Sequence, residues 1–287
     1  MKRVIAAIVV KDGLAVQSIG FARYLPVGRP EIAARFFDSW DADEVLLVDI
    51  DATCEGRLID LDMVRRVAAE IHCPLAVGGG IRSGNDIRAL LNAGADKVVI
   101  ASEIAAHPGL LTAEAARFGA QCLIACVDYR TTPAGPRAFA RGGRANTGID
   151  PVTLATRHAA AGAGEILLHS IDRDGARAGY DLAMARSVGA AVTVPVICLG
   201  GAGHPGHVRA ALALDGVSAV AIGNMLNYTE HAIATIKAWL ADGGVPVRLD
   251  TPADYRGTAR LADGRLARLP DAVLEAQIFE RAPEYML

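Results

Sequence analysis

At 287 residues, with 52% hydrophobic and 21% charged side chains, the chain carries enough apolar material for a large buried core, and its formal net charge of −3 gives no electrostatic reason to expect a nucleic acid or an anionic membrane as partner. No apolar run approaches the roughly 18 residues of a membrane span, and Met1-Lys2-Arg3 leads straight into VIAAIVV without a secretory leader, so the chain reads as cytoplasmic. Cys54, Cys73, Cys122, Cys126 and Cys198 show no metal-ligand spacing, Cys122 and Cys126 read as small core residues, and His204 and His207 read as a solvated helix start; no metal and no cofactor is expected.

In chain order, short apolar runs fall at 4–10, 45–50, 74–77, 97–101, 121–127, 165–169, 194–199 and 217–222. Between them lie alanine- and leucine-rich segments with helical spacing, such as Asp60 to Ile71, Asp86 to Leu91, Pro151 to Ala161 and His231 to Leu240. Continuously apolar strands that alternate with helices predict a parallel sheet buried on both faces, and eight such units predict a closed (β/α)₈ TIM barrel. An open doubly wound sheet would want a G-x-G-x-x-G turn after the first strand, where this chain has KDG. After Leu240 the composition shifts to charge, Pro and Gly, which predicts a barrel over 1–245 and a C-terminal extension over 246–287 with one short helix near Asp271 to Glu280.

The chain repeats itself. LAVGGGIRSGNDIRALLNAGADKVVIAS (75–102) returns about 121 residues later as VICLGGAGHPGHVRAALALDGVSAVAIGN (196–224), and DADEVLLVDID (41–51) returns as GAGEILLHSID (162–172). VIAAIVVKDG (4–13) matches LIACVDYRTT (123–132) at an offset of about 119, so the barrel divides into half-barrels at about 1–120 and 121–245. Each half holds a glycine turn between a strand and a helix. Such a turn lets backbone N–H groups and the helix N-terminus approach an anion, so two turns predict two phosphate sites. In a barrel of this kind the chemistry sits where strands end, which singles out Lys11 and Asp12, Asp49 and Asp51, Asp172 and Asp174, and above all Asp128, a carboxylate that closes the apolar run QCLIACVD.

The motifs VVKDG, VDID, VGGGIRS, GADKVVIAS, NTGI, GAGEILLHSIDRDGARAGYD and GGAG, in that order over residues 1–245, resemble the cyclase subunit of imidazole glycerol phosphate synthase. The resemblance implies a (β/α)₈ barrel that receives ammonia from a class I glutaminase and condenses it with a two-phosphate ribulosyl substrate. It places one phosphate at Gly79 and Gly80 and the other at Gly175, Gly200 and Gly201, with Ser102, Gly223 and Asn224 completing the set. Arg3, Glu44, Lys97 and Glu165, each at the start of an apolar strand, match the family's charged ring at the ammonia entrance.

The family uses two aspartates as general acid and base. Asp128 matches the second, but the first falls on Val9, with Asp12 the nearby substitute. Loss of one such group lowers a rate by about 10²–10⁴. Gln17, Ala101 and Leu199 depart further, standing where the family has lysine, asparagine and serine. DGLAVQSIGFARYLPVGRPEIAARF and the tail GRLARLPDAVLEAQIFERAPEYML resemble a paralogous branch associated with surface-polysaccharide biosynthesis, in which barrel and glutaminase supply ammonia to a sugar amidotransferase that makes an acetamidino group. The expectation is therefore a glutaminase-docking, ammonia-channelling, phosphate-binding barrel that serves amidination of a glycan precursor. The alternatives are a histidine-pathway cyclase working with Asp128 alone or with Asp12 recruited, and a scaffold that only activates the glutaminase.

Overall fold

Runs such as VIAAIVV alternate two apolar faces, and both are buried: Val4, Ala6, Ile8 and Val10 pack outward under helices, while Ile5 and Ala7 face a central lumen. The computed structural model describes residues 1–251 and 253–276. Its barrel strands are β1 (Arg3–Lys11), β2 (Glu44–Asp49), β3 (Leu75–Gly78), β4 (Lys97–Ile100), β5 (Leu123–Thr132), β6 (Glu165–Ser170), β7 (Val196–Leu199) and β8 (Val217–Ile222). Each pairs in parallel with the next, and β8 pairs with β1. The eight strands thus close into the predicted (β/α)₈ barrel.

The helices α1 (Pro30–Ser39), α2 (Leu61–Ala68), α3 (Gly84–Asn92), α4 (Gly109–Phe118), α5 (Pro151–Ala160), α6 (Leu182–Ala191), α7 (Pro205–Leu212) and α8 (Ala232–Asp242) cover the outside. Their starts are encoded locally. α3 begins at Gly84 rather than Asp86 because Ser83 and Asp86 form a reciprocal capping box. Asp150 accepts from Val152 N and Thr153 N at 2.9 and 3.1 Å, ahead of Pro151 in the first turn of α5.

Two elements at the rim matter for the site. β1 continues into an antiparallel hairpin, Leu14–Ile19 with Arg23–Gly28, and β5 continues in the same way into Gly135–Ala140. The repeat therefore extends to the hairpins. Beyond α8 the chain climbs the outside of the barrel. At the foot, Lys2 N donates to Pro246 O, and Arg248 pairs with Asp41 and Asp43, which also hold the fully buried Lys237. At the rim, Gly206 N donates to Asp263 O and Gly264 packs on Trp239. The helix expected over Asp271 to Glu280 is present as Asp271–Glu275; residues 277–280 lie outside the described part of the chain. Among the described residues no helix is long and apolar enough to cross a membrane.

Candidate active site and ionic ring

The first residues of β1, β2, β4 and β6 point inward and meet at the foot of the lumen. Lys97 Nζ lies 2.8 Å from Glu44 Oε2 and 2.6 Å from Glu165 Oε1, and Arg3 bridges the same two carboxylates, at 2.8 Å to Glu44 and in close contact with Glu165. The four side chains form a closed, neutral ring. Burial raises the Glu44 carboxyl above its usual pKa against the pull of Lys97 and Arg3. At Glu165 burial acts in the same sense, but hydrogen bonds and charge from Arg3 and Lys97 exceed it and hold that carboxyl below its usual pKa. Glu44 Oε1 is buried without a partner among the described residues.

Above the ring the lumen is apolar. Ala7, Ala76, Ala219 and Ala221 leave space among the larger Ile5, Leu46 and Leu167. At the other end the strands open into a cavity of about 400 Å³. Gly79, Gly80, Ser102, Asp128 and Val9 all line it. Gly80, at φ +72°, sits so close to the loop after β2 that a Cβ would collide with the carbonyl oxygen of Arg57. Ser102 Oγ accepts from Arg141 N at 2.8 Å, which ties the loop after β4 to the β5 hairpin. Asp12 does not line the cavity. It is a turn residue at φ +49° with an exposed carboxylate 3.2 Å from Lys11.

Charge around this mouth is unevenly paired. Arg57 binds Asp49 at 2.6 Å and Lys11 binds Asp51 at 3.1 Å, whereas the guanidinium groups of Arg82, Arg141 and Arg144 meet no carboxylate among the described residues. A cavity with surplus cations over a glycine turn suits a phosphorylated ligand.

The sequence reading singled out Asp128 and missed its neighbour. His169 lies opposite it in the β5–β6 register, with Nδ1 3.2 Å from Asp128 Oδ1. Cys126 Sγ donates to the same oxygen at 3.4 Å, and burial pushes that thiol well up, so it keeps its proton. The Phe21 ring meets the imidazole edge-on with centroids 4.8 Å apart. The signal was strand parity: in EILLHS the ring residue Glu165, the lumen residue Leu167 and His169 share one face.

The second-half residues Gly175, Gly200, Gly201, Gly223 and Asn224 do not line this cavity. The β1 hairpin stands between. Ser18 Oγ donates to Asp174 Oδ2 at 2.6 Å, Gly20 N donates to Asp174 O at 3.0 Å, and a Cβ on Gly175 would lie 2.6 Å from Ser18 O. The Asn224 side chain is taken up by Ser18, accepting from its N at 3.1 Å and donating to its O at 2.7 Å. Gly200 and Gly201 remain in positive-φ conformations, Gly200 against Ser170 and His169 and Gly201 against Gly179 and Arg173, and at the start of α7 the mutually tilted rings of His204 and His207 have centroids 3.6 Å apart. His207 Nδ1 accepts from Gly203 N at 3.2 Å, so that ring belongs to the turn rather than to a free helix face.

The family profile described as histidine biosynthesis protein matches residues 3–232. The imidazole glycerol phosphate synthase subunit HisF of Myxococcus xanthus (strain DK1622) is 44% identical over 247 residues, which cover 86% of this chain and 98% of that protein.

Proposed function

The chain belongs to the histidine biosynthesis protein family, and from that premise we propose that it is an ammonia-using cyclase-type subunit, which takes a class I glutaminase at its foot and a two-phosphate ribulosyl ligand at its mouth. Ammonia released at the foot would cross the ring of Arg3, Glu44, Lys97 and Glu165, travel the alanine-widened lumen and reach the ligand beside Asp128. The observation that carries this reading is the neutral ring at one end of an apolar lumen whose other end opens into a cation-rimmed cavity. A small neutral molecule passes such a path at low desolvation cost, and an ammonium ion does not. The test is to mix the chain with the glutaminase and compare glutamine-dependent with ammonium-dependent turnover of the ribulosyl substrate. Turnover with ammonium salts but none with glutamine, although the glutaminase is bound and hydrolysing, would sink the conduit.

A second reading is favoured by Val9, which lines the mouth where the family pattern has an aspartate. With Gln17, Ala101 and Leu199 also departing from that pattern, the barrel would hand its ammonia to a sugar amidotransferase for amidination of a glycan precursor. Growth of a histidine auxotroph that lacks its own cyclase subunit, when given this chain, selects the first reading. Failure to grow, together with ammonia delivery to a sugar amidotransferase, selects the second. Failure of both leaves a scaffold that only activates the glutaminase. The place of action proposed for all three is the cytoplasm, with no cofactor.

A further inference from the structure

Among the titratable side chains that line the mouth, His169 is in direct contact with Asp128 and has no place in the two-aspartate pattern. His169 and Asp128 extend from adjacent parallel strands at the same height, and each side chain is only 11% exposed. The imidazole presents Nδ1 to Asp128 Oδ1 at 3.2 Å, and its Nε2 is buried with no partner among the described residues. A buried ring nitrogen without a partner is rare in a native fold and calls for a reason. His158 is a second such case, with neither nitrogen partnered among the described residues, but it lies on the core face of α5 and does not line the mouth cavity. His169 lines that cavity, beside Val9.

We propose that His169, oriented by Asp128, is the proton-transfer residue at the barrel mouth, in the role that a carboxylate at position 9 would otherwise fill. The inference rests on the reading that ammonia is used at the mouth on a ribulosyl ligand. The carboxylate fixes the tautomer: a proton on Nδ1 faces the negative oxygen, which leaves the lone pair on Nε2. The ionisable groups that face the imidazole are Asp128 and Cys126 from β5 and Asp174 from the loop after β6, whereas β7 offers Leu199 and Gly200 and the hairpin offers Phe21. Cys126 donates to Asp128, so the imidazole meets carboxylate on two sides and, among the described residues, no cationic side chain is paired with it. Phe21 packs edge-on against the ring, with centroids 4.8 Å apart.

The step balances as follows. The ammonia nitrogen attacks the ketone carbon of the ribulosyl group, an N–C bond forms, and the carbonyl π pair moves to oxygen. One N–H proton passes to His169 Nε2, and the imidazolium returns it to that oxygen. The products are a neutral carbinolamine and an imidazole as it began.

The experiment uses the full chain with the ribulosyl bisphosphate and ammonium chloride, and records pH–rate profiles. His169→Gln should lower kcat by about 10²–10⁴-fold, leave KM within about threefold, and remove the ionisation that governs kcat in the wild type. An unchanged kcat and profile in His169→Gln, with robust wild-type turnover, overturns the role of His169 and leaves the substrate reading intact. A wild-type chain without turnover overturns the substrate reading instead. The dyad itself is read without turnover from ¹⁵N-histidine spectra of the wild type and of an Asp128→Asn variant shown by circular dichroism to be folded. An Nδ1–H tautomer at His169 that is lost in Asp128→Asn supports it. An Nε2–H tautomer in the wild type overturns it.

Discussion

Gly80 and Val9 show how much of the mouth is decided by the size and chemistry of single side chains. Gly80 is at φ +72° and has the Arg57 carbonyl where a Cβ would stand, so any larger residue must displace either its own turn or the loop after β2. Gly80→Val is therefore expected to weaken a two-phosphate ligand by about tenfold or more through loss of turn geometry, read by calorimetric titration; unchanged affinity would remove the phosphate from this turn. Val9 lines the same cavity with an isopropyl group that can neither take nor give a proton. Val9→Asp is expected to raise ammonium-dependent turnover, and to raise it by a larger factor when His169 is already glutamine, because the two groups would then perform one task. Equal factors in the two backgrounds, measured by steady-state kinetics, would mean that the two positions act independently.

Strands and helices carry their signals at different ranges, and that difference decides which were legible. Seven of the eight barrel strands are continuous apolar runs that can be read from the sequence to within a residue or two; β1 extends from the run at 4–10 to Arg3–Lys11, whereas β5 continues five residues past its run at 121–127, to Thr132, where it pairs with its hairpin. The hairpin after β1 is harder because LAVQSI looks like the start of a helix. Its one local signal is the Asp12-Gly13 pair, both at positive φ, the residues a two-residue hairpin turn demands. The ring at the foot was expected from the family resemblance, because four charges that begin four strands can by themselves simply face water. His169 was not, since it stands at the end of the run at 165–169 and becomes visible as a site residue only when the strand parity from Glu165 and Leu167 is carried through to it. The second-half glycines fit the repeat, yet the hairpin that separates them from the cavity is a tertiary event with no sequence signature. α5 adds a consequence of its own. His158 falls on the helix face shared with Leu154 and Ala155, is 1% exposed, and burial lowers its pKa to about 4. The unfolded chain takes up that proton near the ordinary histidine value of about 6.5, and the folded chain resists it until about 4. Folding stability should thus be intact above about pH 6.5 and decline as pH falls from there to about 4, by up to about 3 kcal/mol. Urea denaturation at pH 7 and pH 5 checks this; His158→Leu should flatten the slope across that window, and an equal slope in both proteins would assign the loss elsewhere.

On the scale of the whole molecule the barrel is a wall with two faces, and the residues that differ most in character lie at opposite ends of one lumen. The mouth has surplus cations, and the foot has a ring whose two positive and two negative charges cancel. Cancellation is what a neutral passenger needs, because a net charge at the constriction would draw counter-ions and ordered water into the path. Lys97, like Arg3, spans both carboxylates, so its removal opens the ring on one side. Lys97→Ala leaves Arg3 alone against Glu44 and Glu165, and its stability cost should fall below the roughly 3–5 kcal/mol of a fully buried broken pair, because Arg3 and Lys97 keep 25% and 19% exposure. The expected outcome is that glutamine hydrolysis by the docked glutaminase stays largely intact while the share of ammonia that reaches the acceptor drops. Glu165→Gln changes the ring's charge in the opposite sense and should uncouple transfer in the same way, which separates a broken path from an altered field. If hydrolysis and transfer fall together in both variants, the ring is a docking surface; if neither falls, ammonia takes another route. Thermal denaturation of each variant, run beside the coupling assay, keeps a folding defect from passing as a gate.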